Sequence, residues 1–133
     1  MKQVFCAVLF LMPLSLYASK WIYVTDDISG MNYINPSNVR YNNRYESAKF
    51  LLLTNEYVAG TKNLSGTSLI TDYEIYCNPS PKLFNRYKIT TYTKPWGKGK
   101  ISDSFRPGTG DWQIEISKEV EISEFICKDS RIK

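Results

Sequence analysis

The chain has 133 residues and a formal net charge of +4, from 17 lysines and arginines against 13 aspartates and glutamates. It contains no histidine, which excludes Ser-His-Asp and Cys-His nucleophile systems and His-ligated zinc. The mild basic balance suits acidic partners, and without a long Lys/Arg cluster nucleic acid is not an expected one.

Met1-Lys2 gives a positive start, residues 4–16 are almost wholly apolar, and Leu16-Tyr17-Ala18 offers a cleavage site after Ala18. This is the layout of a signal peptide over residues 1–18, followed by one domain over 19–133. A buried N-terminal helix is the other reading of that segment. The apolar run falls short of the about 20 residues a membrane span needs, and nothing later is longer. Removing residues 1–18 discards Cys6, which lies inside the apolar run and is no lipid-anchor site. Cys77 and Cys127 remain. An even pair in an exported chain reads as a disulfide, the alternative being two free buried thiols. The expected location is the periplasm, the outer surface or the medium.

Most of the mature chain alternates with a period of two. Residues 21–24 predict a first strand and 31–35 a second, stopped by Pro36. Tyr41-Asn42-Asn43-Arg44 is a turn candidate. Residues 47–57 contain Phe50-Leu51-Leu52-Leu53, apolar on both faces, as a strand covered on both sides requires. Residues 60–66 read as a loop rich in Gly, Ser, Thr and Asn. In residues 67–77, Leu69, Thr71, Tyr73, Ile75 and Cys77 share one face, expected to point inward. Asn78-Pro79-Ser80-Pro81 breaks that strand. Residues 85–94 form the next, with Tyr87 and Ile89 on one face and Arg86, Lys88, Thr90, Tyr92 and Lys94 on the other. Pairing Ile75 with Tyr87 and Tyr73 with Ile89 sets Glu74 opposite Lys88. A hairpin at Pro95-Trp96-Gly97-Lys98-Gly99 leads to residues 100–105. A turn at residues 106–110 precedes a strand carrying Trp112, Ile114 and Ile116. Ser117 can cap a closing helix with Val120, Ile122, Phe125, Ile126 and Cys127 as its buried stripe. The fold class is thus α+β, mainly β: a single antiparallel sheet of about five to seven strands with a C-terminal helix packed on it.

No phosphate loop, dinucleotide fingerprint or calcium-loop spacing occurs, so no cofactor and no metal is expected. Asp72 and Glu74 share a strand face and could serve as paired carboxylates of a glycoside hydrolase. They read better as solvated surface charges, with Glu74 facing Lys88, and the chain is expected not to be an enzyme. The richer surface is basic and aromatic. Arg86, Lys88, Tyr92 and Lys94 lie on one strand face, Trp96 sits at the hairpin tip, and Lys98 flanks it. Trp, Tyr and Arg are favoured at protein interfaces. The alternative is a set of ordinary outward lysines with Trp96 folded back on the sheet.

A scatter of short pieces then resembles the bacterial surface-adhesin protein E family. They are Trp21, Asn32-Tyr33-Ile34-Asn35-Pro36, the apolar strand over residues 48–54, and Tyr73-Glu74-Ile75-Tyr76-Cys77. Gly97-Lys98-Gly99, Asp111-Trp112 and Phe125-Ile126-Cys127 follow. The chain departs from the family's tendency at Tyr76, where an acidic residue is frequent, and at Asn35, where Asp is. The resemblance implies an antiparallel sheet with a packed helix, and binding to host matrix or plasma proteins such as vitronectin and laminin. The functional expectation is therefore an exported, non-enzymatic binding protein that contacts a host protein. An acidic glycan is a further candidate ligand. The alternative is a periplasmic inhibitor or accessory protein of an envelope partner such as a lysozyme-type hydrolase, with residues 60–66 or the Trp96 hairpin as its probe.

Overall fold

The computed structural model describes residues 20–78, 83–107, 113–114 and 118–128. The expected signal segment, the break at Pro79-Ser80-Pro81, the second half of the turn at 106–110, and Trp112, Ile116 and Ser117 lie outside the described residues. β1 (Ile22–Asp27) and β2 (Gly30–Ile34) form a hairpin around Ile28 and Ser29. Asp27 Oδ1 accepts hydrogen bonds from the Ser29 and Gly30 N–H groups and the Ser29 hydroxyl, which fixes that turn. A 3-10 turn (Pro36–Asn38), capped by Asn35, leads into β3 (Arg40–Asn42). The long strands β4 (Ser47–Tyr57), β5 (Leu64–Tyr76) and β6 (Leu83–Tyr92) follow. A second 3-10 turn (Pro95–Gly97), β7 (Ile101–Phe105), the two-residue β8 (Gln113–Ile114) and α1 (Lys118–Lys128) complete the order.

All pairings are antiparallel, in the order β1-β2-β4-β5-β6-β7, with β3 beside β4 and β8 beside β6. The chain is mainly β with one sheet and a C-terminal helix on it, as its alternation and final change of period led one to expect. One sheet face carries Ile34, Ala48, Phe50, Leu52, Tyr73, Ile75 and Phe84, which close on Ile122 and Ile126 of α1. Each of the isoleucine, leucine and phenylalanine side chains among them stabilises the fold by roughly 1.5–3 kcal/mol through burial. Phe50 and Tyr73 stack at 5.5 Å across the central pair. The helix is tied down at both ends: Lys118 Nζ lies 3.4 Å from Asp27, and Cys127 is disulfide-bonded to Cys77. Val120, expected in the buried stripe, is instead 42% exposed, because the helix turns only Ile122, Ser123 and Ile126 fully inward. Among the described residues no helix is long and apolar enough to cross a membrane.

The β5–β6 register departs from the expected one. Ile75 lies opposite Phe84 rather than Tyr87, Tyr73 opposite Arg86 rather than Ile89, and Glu74 opposite Asn85 rather than Lys88. The physical cause is twofold. Phe84 enters the core row beside Ile75, and a bulge between Asp72 and Tyr73 leaves Tyr87 as an extra residue on β6. A one-residue bulge reverses the faces of everything before it. Arg86 therefore shares the helix-side face with Tyr73, not the outer face with Lys88.

Candidate functional site

The sheet face away from α1 can be laid out row by row from the register. One row runs Tyr23, Tyr33, Leu53, Ile70, Thr90 and Ser104. The adjacent row runs Met31, Asn55, Ser68, Tyr92 and Ile101. Leu53 is fully buried although, among the described residues, no helix covers this side. Its cover is the Pro95–Gly97 turn, which folds back over the sheet instead of projecting from it. Ser68 is completely buried and holds the turn twice: its hydroxyl donates to the Lys94 carbonyl at 2.6 Å and accepts from the Gly97 N–H at 2.9 Å. Asn55 Oδ1 accepts from the Trp96 N–H at 2.9 Å. A Cβ on Gly97, whose φ is +67°, would meet Ile70 Cδ1 at 2.8 Å, so glycine lets the turn sit this close.

Trp96 itself has φ 66°, a left-handed conformation uncommon for a bulky residue. Its ring lies 4.7 Å from that of Tyr33, which in turn meets Tyr23 edge-on at 5.8 Å. Trp96 remains 43% exposed and Tyr23 48%. Trp96 thus lies back on the sheet, as one of the two sequence readings had it, yet it still presents much of its ring. Lys94 and Lys98 are exposed on either side of the turn, while Tyr92 and Lys88 are half-buried on the same face. Arg86 is not with them. It lies beside Tyr73 under the helix, close enough to Glu119 to be felt by its carboxyl, and its Nε is buried without a hydrogen-bond partner among the described residues. Burial pushes the Glu119 carboxyl above its ordinary value despite the Lys118 and Arg86 charges.

Asp26, on the rim of the aromatic patch, accepts from the Tyr23 hydroxyl at 2.8 Å and from the Tyr57 hydroxyl at 3.4 Å. The first bond, aided by desolvation, pushes the Tyr23 pKa up to about 12. Next to it a cleft of about 580 Å³ opens between the β1–β2 turn and the β4–β5 loop, lined by Asp26, Ile28, Tyr57 and Lys62 among others. Ile28, Val58 and Leu64 are exposed around that end.

Lower on the same face, Glu74 is buried rather than solvated. It accepts from Ser47 Oγ at 3.0 Å and from the Tyr87 hydroxyl at 2.5 Å. Asp72, not Glu74, stands opposite Lys88. Tyr23, Tyr33, Asn55 and Ser68 were missed as site residues. Tyr23 and Tyr33 could have been found by registering the short hairpin around Ile28-Ser29. Asn55 and Ser68 could not, because they act on a turn far along the chain. Comparison with protein-family models, with curated proteins and with solved structures finds no match for this chain.

Proposed function

We propose that this chain is an exported, non-enzymatic binding protein of the adhesin type, and that the Trp96–Tyr33–Tyr23 face is where it meets a protein partner. The observation that carries this reading is Trp96. A strained backbone is held by buried Ser68 and Asn55 so that a tryptophan rests against tyrosines with its outer surface in water. Strain maintained in this way concentrates at functional positions. Aromatic anchors at the centre and lysines at the rim match the anatomy of protein interfaces. The Cys77–Cys127 disulfide and the signal-like start support export, since thiols stay reduced in the cytosol. The resemblance to the surface-adhesin protein E family supports a host matrix or plasma protein as partner.

The test is direct binding of the mature domain to immobilised vitronectin and laminin. Trp96→Ala is expected to weaken binding by about 2 kcal/mol, on the order of thirtyfold in Kd. Lys94→Glu with Lys98→Glu is expected to weaken it in a salt-dependent way. Binding to either protein that all three changes leave untouched would remove this face from the reading. The cleft beside the aromatic patch favours a second reading, an envelope partner such as a lysozyme-type hydrolase. There exposed Ile28 lines the cleft of about 580 Å³, and Val58 and Leu64 are exposed near it. Inhibition of such a hydrolase, lost in Ile28→Glu and kept in Trp96→Ala, would select it.

A further inference from the structure

Below the aromatic patch the open face holds a second concavity of about 320 Å³, lined by Asn38, Arg40, Lys49, Leu51, Asp72 and Tyr87 together with neighbouring core residues. Its charges are arranged against stability. Arg40 and Lys49 stand directly opposite each other across β3 and β4, a placement in which like charges repel. Both are exposed, and neither has a carboxylate within ion-pair distance among the described residues. Glu74, the cross-strand neighbour of Lys49 on β5, is turned instead to Ser47 and Tyr87. Lys49 Nζ lies over the Tyr87 ring, 5.6 Å from its centre.

The two cations are also positioned. Arg40 Nη1 donates to the Ser37 carbonyl at 3.0 Å. Ser37 is itself fixed by its N–H and hydroxyl, both donating to Asn35 Oδ1. A guanidinium steadied through one nitrogen keeps its other donors in a fork suited to a carboxylate or sulfate. The wall also contains Asp72, opposite Leu51 on one side and Lys88 on the other. A carboxylate there opposes a run of acidic side chains. It is, however, a ready acceptor for a hydroxyl hydrogen.

We propose that this concavity binds an acidic sugar, its carboxylate or sulfate held between Arg40 and Lys49 and a ring hydroxyl donated to Asp72. The site does not depend on the Trp96 surface, and its failure would leave that reading standing. The experiment is calorimetric titration of the mature domain with a sulfated heparin-derived tetrasaccharide and with a hyaluronan-derived one, which carries carboxylates only. At least one is expected to bind, and the one that does identifies the acid group. Arg40→Glu with Lys49→Glu should weaken that binding by about tenfold or more. Lys100→Glu with Lys128→Glu, an equal change in net charge at exposed positions elsewhere, should leave it within about twofold. Asp72→Asn should weaken it severalfold. If the double reversal at Arg40 and Lys49 fails to fold, Arg40→Gln with Lys49→Gln replaces it, with the same loss expected. Four results would overturn the site: no binding of either sugar, equal losses in the two double variants, tighter binding in Asp72→Asn, or equal affinity for a poly-glutamate peptide.

Discussion

Tyr87 is the residue that the β6 bulge pushes out of register, and its hydroxyl ends on buried Glu74. Desolvation and that hydrogen bond push its pKa up to about 12. In an unfolded chain tyrosine ionises near 10. Between about pH 10 and pH 12 the unfolded state therefore releases this proton first, and unfolding gains. The stability linked to the shift is whole below about pH 10 and lost as the pH rises through about 12. Tyr23, raised to about 12 chiefly by its bond to Asp26, titrates in the same window. The urea midpoint of the native protein should fall steeply over that range, and that of Tyr87→Phe less steeply. Parallel curves would show that the bond to Glu74 carries no linkage. None of this was legible in the sequence, where Glu74 read as a solvated partner of Lys88. Alternation tells which side chains share a face only until a bulge, and a bulge leaves no compositional mark.

The Pro95–Gly97 turn behaves as a second lid of the sheet, opposite the helix. Beside Asn55, it is held by one Ser68 hydroxyl that serves as both donor and acceptor. Ser68→Ala would leave the Gly97 N–H and the Lys94 carbonyl without their partner beneath the turn. The expected loss is roughly 1–3 kcal/mol of unfolding free energy, read by urea titration. A loss below a few tenths would mean that the turn finds other partners. The turn was visible in the sequence from its proline and glycines, and so was the apolar run Phe50-Leu51-Leu52-Leu53 that needs cover on both faces. What covers the second face was not visible. The Trp96 N–H and Asn55 are 41 residues apart and Gly97 and Ser68 29, and local pattern carries no information at that range.

Over the whole molecule, the features that depend on totals were the legible ones. Strand alternation, the late change of period and the cysteine pair left once the expected signal segment is set aside led to the sheet, the terminal helix and the Cys77–Cys127 bridge. Faces and partners depend on register and were not legible in the same way, which is why Arg86 was placed on the wrong side. With a sequence separation of 50, the bridge should stabilise the fold by about 4 kcal/mol in the chain-entropy model. Cys77→Ser with Cys127→Ser should show that loss in chemical unfolding, and a change under about 1 kcal/mol would place most of the constraint elsewhere. The bridge also defines a load path. Tension applied to the chain beyond Lys128 reaches Cys127 first and passes through sulfur to Cys77, at the end of β5. That strand is hydrogen-bonded on both sides, to β4 and β6, so the pull spreads through the middle of the sheet. The helix before Cys127, held to the core by Ile122 and Ile126, stays out of the line of force, and a tether at this end would strain the sheet before it peeled that part of α1 away.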